Sequence, residues 1–296
     1  MKNRNLISFV AITIMVSLTT ISCKKDRIEP AEEELKEYHD INSYLDSKKQ
    51  EEQEFVITGP SNDTITGNQG TKIIGAGKNC LRDMNGDTID YPYSIFLVEL
   101  YTPADMIYWQ MPTVASGNIL ETDGEIRIRA TKNNQDLSLV CPFTFWMPNS
   151  APNSNMTIYT GVASGNFVNW INTANSFNII PYGYEGTSTK FGWINAGLQV
   201  GTGSGHTLTF TSAVDDLTNV GIFIYFTGID GLMQVYNKTS GLIPNGSSVK
   251  IVMMAQNSSG QLFSYTETRT VSSSATIDVS LSQTTDAILT TYLNSL

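Results

Sequence analysis

The stretch Glu125-Ile-Arg-Ile-Arg-Ala130 alternates charged and apolar side chains. Successive residues of a strand face opposite ways, so Arg127 and Arg129 share one face and Ile126, Ile128 and Ala130 the other. Four more runs are rich in β-branched and aromatic residues: Thr71-Lys-Ile-Ile74, Ser94-Ile-Phe-Leu-Val-Glu-Leu100, Gly221-Ile-Phe-Ile-Tyr-Phe226 and Val249-Lys-Ile-Val-Met-Met254. Residues 221–226 carry no polar side chain except a tyrosine, which predicts a central strand covered on both faces. Gly, Asn, Pro and Ser interrupt these runs at intervals of about eight to twelve residues, the punctuation of a β-sandwich. Asn85-Gly86 and Asp230-Gly231 predict tight hairpin turns, because type I′ turns need positive φ at both central residues. No long amphipathic helix is expected after residue 55, and residues 166–172 fit either a short helix or a strand edge.

Working outward, the chain has 296 residues and a net charge of −10, unevenly spread. Residues 24–54 hold 11 acids and 6 bases, whereas the far longer 55–296 holds 17 and 10. An acidic chain lacks the basic footprint that nucleic-acid binding requires, so no nucleic-acid partner is expected. Length and punctuation divide the body into sandwiches at 55–172 and 191–296, with the Pro/Asn/Gly/Ser/Thr-rich 173–190 as linker. The expected fold is all-β: two consecutive β-sandwich domains behind a signal and a partly helical tether.

The N-terminus supplies the signal. Met1-Lys-Asn-Arg-Asn5 is basic, and residues 6–21 are apolar but too short for a comfortable membrane span. The segment ends Thr20-Ile21-Ser22-Cys23, which resembles the lipobox of bacterial lipoproteins. The resemblance implies removal of residues 1–22 and acylation of Cys23, giving a membrane partner through lipid chains. Lys24 stands where that pattern places Asp for inner-membrane retention, which implies the outer membrane. The run Lys24-Lys-Asp-Arg-Ile-Glu-Pro-Ala-Glu-Glu-Glu34 resembles the surface-export signals of Bacteroidetes lipoproteins, with a solvated spacer as the equal alternative. Leu35, Tyr38, Ile41 and Leu45 form a narrow helical stripe in 23–54. That segment is read as a mobile charged stalk, docking on the body or a partner being the alternative.

A family resemblance covers most of the body. Ile65-Thr-Gly-Asn-Gln-Gly-Thr-Lys-Ile73, Asp83-Met-Asn-Gly-Asp87, Val98-Glu-Leu-Tyr101, Gly117-Asn-Ile-Leu-Glu-Thr122 and Asn155-Met-Thr-Ile-Tyr-Thr-Gly161 resemble the ZU-type (zona-occludens/netrin-receptor-like) β-sandwich of Bacteroidetes lipoproteins. Phe191-Gly-Trp-Ile-Asn195 and Ile243-Pro-Asn-Gly-Ser-Ser-Val-Lys-Ile-Val252 resemble the Ig-like part of the same lipoproteins, although Ala196-Gly197 replaces the usual Cys-Asp. The family has no settled activity, so the resemblance implies fold and address alone.

The candidate chemistry is sparse. Asp83, Asn85, Asp87 and Asp90 offer four oxygen side chains for Ca²⁺, but the glycine falls at the fourth position rather than the sixth, and a plain hairpin explains them. Glu121, Asp123 and Glu125 alternate near a turn and offer carboxylates for glycoside hydrolysis, against a solvated strand entry. Gly201-Thr-Gly-Ser-Gly-His206 precedes an alternating strand rather than a helix, so it is read as a β-connection and not a phosphate loop. Cys80 and Cys141 either pair or remain buried thiols, and no other metal or cofactor motif is present. Trp109 (Trp109-Gln-Met-Pro112) and Trp146 (Phe145-Trp-Met-Pro148) are candidates for stacking on a glycan, against core packing. His39 has no second His or Cys nearby. These features predict a non-catalytic, lipid-anchored protein whose sandwiches bind a protein or glycan partner. The alternatives are a polysaccharide-active enzyme and a carbohydrate-binding lipoprotein.

Overall fold

Burial alternates along the strand that contains Glu125–Ala130, with Ile126, Ile128 and Ala130 inside and Arg127 and Arg129 on the outer face. There Glu52 bridges both guanidinium groups, at 3.3 Å from Arg127 and 2.5 Å from Arg129. The computed structural model describes residues 35–60, 64–164, 167–201 and 204–296. Of the described residues strands take 52% and helices 11%, so the fold is all-β.

The first part contributes β1 (Gln53–Ile57), β2 (Thr64–Thr66), β3 (Lys72–Ile74), β4 (Tyr93–Leu100), β5 (Asn118–Lys132), β6 (Phe143–Pro148), β7 (Thr157–Ser164), β8 (Phe167–Ser176), β9 (Asn178–Ile180), β10 (Gly183–Ser188) and β11 (Gly192–Val200). They form sheets in the orders β1-β4-β5-β11-β7-β8 and β9-β10-β6-β3-β2. One apolar cluster joins them, with Ile95, Leu97, Ile128 and Ile194 from the first sheet and Phe143, Phe145 and Tyr184 from the second. The later part contributes β12 (Leu208–Thr211), β13 (Gly221–Phe226), β14 (Gly231–Val235), β15 (Ser247–Gln256), β16 (Leu262–Val271), β17 (Ala275–Asp278) and β18 (Ser282–Thr284). Its main sheet runs β14-β13-β15-β16-β18, and β12 and β17 form a parallel pair. β13 is buried at every position and is paired on both edges, as its uninterrupted apolar run predicts.

The structure corrects the expected boundary. Residues 173–190 are not a linker: they hold the end of β8, then β9 and β10, and β11 follows to pair with β5 and β7. The first sandwich therefore extends to residue 200. The Gly and Asn that read as linker punctuation make turns within it. Gly183 has φ +136°, and a Cβ there would lie 2.2 Å from the Met147 carbonyl oxygen, so only glycine lets β10 close on β6.

The part of the tether that is described, from residue 35 on, is not a mobile stalk. Lys36 donates its backbone N–H to Val214 and accepts from Asp216, and His39 donates to Gln256, which laces the segment to the second sandwich. Tyr38 is buried against Phe263, and its hydroxyl donates to the buried Asp215 carboxylate at 2.6 Å. The chain then forms helix α1 (Asn42–Lys48), which buries Tyr44 and Leu45. The stripe read as helical is not one helix: of its residues only Leu45 lies in α1, while Leu35, Tyr38 and Ile41 precede it, and the docking face buries Tyr38, Ile41 and Leu45 and leaves Leu35 outside. Helix α2 (Pro103–Tyr108) starts with a Thr102 cap and proline in its first turn, and α3 (Asp286–Leu293) with a Thr285 cap. The three helices meet in a further cluster, where Leu45, Ile107 and Leu289 pack with Trp170 of one sandwich and Phe223 and Val252 of the other. Thr113 backs this junction by exchanging 2.8 Å backbone and side-chain hydrogen bonds with Leu232 of β14. A shared apolar core replaces the flexible linker that the sequence predicts.

Candidate functional site

Where the docked segment 35–41 (the strap), helices and both sandwiches converge, the surface opens into a cleft of about 700 Å³. Asp40, Asn42 and Lys49 line it from the strap and α1, Trp109 and Gln110 from the end of α2, and Gln234 and Tyr236 from β14 and its exit. Along β14 the alternation puts Val235 in the core and leaves Gln234 and Tyr236 on the cleft side. α2 stops at Trp109, since Pro112 blocks its continuation. Gln110 takes the left-handed conformation (φ +52°) in which a helix exit usually carries glycine.

That turn delivers the Gln110 side chain to the middle of a hydrogen-bonded ladder. The Tyr236 hydroxyl donates to Gln234 Oε1 (3.0 Å), and Gln234 Nε2 donates to Gln110 Oε1 (3.3 Å). Gln110 Nε2 then donates to Asn42 Oδ1 (2.9 Å), and Asn42 Nδ2 to Asp40 Oδ2 (2.7 Å). Trp109 stands beside the ladder, edge-on to Trp193 (ring centroids 5.7 Å apart), with the Lys49 ammonium 5.3 Å from its own centroid. Among the described residues its buried indole N–H has no acceptor.

A second, smaller cleft of about 390 Å³ lies between Asp123 of the first sandwich and Asp230 of the second. Tyr184 donates to Asp123, and Tyr225 donates to Asp230 at 2.6 Å. Burial pushes the Asp123 carboxyl above its ordinary value, opposed by the Tyr184 hydrogen bond and reinforced by the Asp230 charge. Glu121 does not share this cleft and is met by Asn153 Nδ2 at 3.4 Å. Glu125 is fully buried, which pushes its carboxyl well above the usual range despite the Asn195 Nδ2 hydrogen bond at 3.0 Å. The three acids that looked like one group are therefore separated, and the acid facing Asp123 is one the sequence assigns to a hairpin.

The other expectations fall as follows. Asp83 Oδ1 accepts from the backbone N–H of Asn85 and of Asp87, both at 2.9 Å, while Asp90 reaches toward Lys78 at 3.4 Å. The loop oxygens cap their own turn, and among the described residues no three His, Cys, Asp or Glu side chains gather that could hold a metal ion. In this turn Gly86 alone takes positive φ (+84°), and the second hairpin uses Gly228 and Asp230, so neither is the two-residue turn predicted. Cys80 and Cys141 are joined in a disulfide, their Cα atoms 5.2 Å apart. Trp146 is not in a loop: it stands on β6, its indole N–H bonded to Glu185 at 2.9 Å and Lys72 Nζ 4.9 Å from its ring centroid. It is not among the residues that line the cleft with Trp109. Trp170 is core, donating to the Pro112 carbonyl at 2.8 Å. His206 forms a β-bridge to Ile243, as a β-connection requires. Cys23 and the signal lie outside the described residues. Of the main cleft, sequence reading found Trp109 and missed Asn42, Gln110, Gln234 and Tyr236, whose residue types carry no motif and whose separations in the chain hide their meeting. No family model matches the chain, and no curated protein does.

Proposed function

We propose that this chain is a lipid-anchored outer-membrane protein, attached through acyl groups on Cys23, whose body binds a partner without chemical change. One observation carries the binding role. A cleft of about 700 Å³ is built jointly by strap, helix and both sandwiches, and it combines aromatic rings with ordered amides rather than paired catalytic groups. The lipobox resemblance supports the anchor, and the ZU-type and Ig-like resemblances support the envelope address. Metabolic labelling with a palmitate analogue tests the anchor: wild type incorporates label and Cys23→Ala does not. Continued labelling of the variant would sink it. A second reading, polysaccharide hydrolysis, draws on the Asp123–Asp230 cleft, where one carboxyl is raised by burial and another acid faces it. Release of reducing ends by wild type and not by Asp123→Asn would favour that reading instead.

A further inference from the structure

The ligand class follows from what the ladder leaves unspent. A side-chain amide has two N–H donors and an oxygen with two lone pairs. In the ladder Asn42, Gln110 and Gln234 each spend one N–H on the next member and one lone pair on the previous one. Among the described residues each keeps one N–H donor and one acceptor lone pair, and all three side chains line the cleft. A row of hydroxyl groups, each both donor and acceptor, matches such a wall.

Charge points the same way. The Lys49 ammonium is held by Asp46 at 2.6 Å, and the Asp40 carboxylate receives the Asn42 backbone N–H at 3.0 Å and side-chain N–H at 2.7 Å. The cleft's one lysine is already ion-paired, and its one acid is hydrogen-bonded by neutral N–H groups and keeps its negative charge, so an anionic ligand would meet no unmatched cation here. Two aromatic side chains complete the wall, Trp109 and Tyr236, the latter 48% exposed. Aromatic faces of this kind accept the C–H face of a sugar ring, while planar amides read its hydroxyls.

An independent feature is the backbone of Gln110. A non-glycine residue in the left-handed region is strained, and glycine would remove that strain. The chain keeps glutamine there, and its side chain forms the central rung of the ladder.

We propose that the cleft binds an uncharged saccharide, its hydroxyls read by Asn42, Gln110 and Gln234 and its ring laid on the Trp109–Tyr236 wall. This rests on the reading of the cleft as a binding site. The test is affinity electrophoresis of the full-length protein in detergent, in gels cast with neutral polysaccharides (glucan, mannan, xylan, starch) or anionic ones (alginate, polygalacturonate). Wild type is expected to be retarded by at least one neutral polymer and by neither anionic one. Gln110→Gly relieves the backbone strain but removes two ladder hydrogen bonds, so it should melt close to the wild-type temperature yet bind about tenfold more weakly, the equivalent of one lost hydrogen bond. Tyr236→Ala, at an exposed position, should lose retardation likewise. Absence of retardation in every neutral gel overturns the proposal, as does retardation by the anionic polymers alone or retardation that both variants retain. Shortening of a retarding polymer is a separate readout: it would refute the non-catalytic reading while leaving the saccharide assignment in place.

Discussion

Replacing Leu45 by alanine tests whether the segment read as a stalk belongs to the folded body. Leu45 is 0% exposed and packs in the cluster that joins the three helices to both sandwiches. Truncation removes buried methyl and methine groups and leaves a cavity at a site walled by strands on two sides, where collapse is hard. Comparable leucine truncations cost about 3 kcal/mol or more. For a body of this size that lowers Tm by about 6–12 °C. Leu35→Ala is the internal control, because Leu35 is 45% exposed and surface truncations usually stay within about 0.5 kcal/mol. The two positions lie on the same sequence stripe, so a mobile stalk makes them equivalent and a docked one does not. The consequence reaches the cleft, since Asp40, Asn42 and Lys49 line it from the same segment. Leu45→Ala should therefore weaken ligand retention while Leu35→Ala leaves it unchanged. Thermal denaturation followed by near-ultraviolet circular dichroism reads the first effect. A Leu45→Ala protein that melts within about 2 °C of wild type would refute the docked arrangement.

Three further outcomes follow from individual contacts. The raised Glu125 carboxyl holds its proton in the native state at pH values where the unfolded chain, with the ordinary value of 4.5, has released it. Native stability is then full below that value and falls as pH rises, by up to about 1.4 kcal/mol per pH unit. Glu125→Gln cannot lose a proton, so its Tm advantage should grow between pH 5 and pH 8 (about the range where a single buried carboxyl acts), and a constant or shrinking gap would refute the assignment. The Cys80–Cys141 disulfide closes a loop of 61 residues, so the double alanine variant should lose about 4 kcal/mol by denaturant titration, and a reductant should lower wild type equally. Tyr38→Phe leaves the buried Asp215 carboxylate one donor short and should cost about 1–3 kcal/mol, whereas Tyr182→Phe, at an exposed residue, should change nothing measurable by the same titration.

The sandwich strands were legible where local pattern and burial coincide. β13 has no polar break, and β5 alternates because one face meets the core and the other meets Glu52. Residues 173–190 misled because an edge hairpin and a linker share a composition: Asn, Ser, Thr and Gly suit an exposed strand face as well as a loop. What distinguishes them is Phe177 and Tyr184 packing into a core supplied largely by residues earlier in the chain. The strap shows the same limit from the other side. Its stripe was visible, but the choice between stalk and docked segment rests on Asp215, 177 residues from the Tyr38 hydroxyl it accepts from.

The cleft was least legible for a related reason, and that reason bears on how it works. Gln110 and Gln234 are 124 residues apart, and Gln110 and Asn42 are 68 apart, so the ladder exists only when strap, α2 and β14 are in register. Neutral amides do not reach one another through long-range fields as charges do. Their hydrogen bonds need contact geometry, and each unmade one inside a partly buried wall leaves a polar group unpaired. The apolar cluster beneath the cleft supplies that registration, with Leu45, Ile107 and Leu232 fixing the three elements that carry the rungs. The sparse charge of the body suits this arrangement. A site that reads hydroxyl groups by geometry gains its specificity from rigidity, and here the rigidity comes from the packing that turned a presumed stalk and a presumed linker into parts of one core.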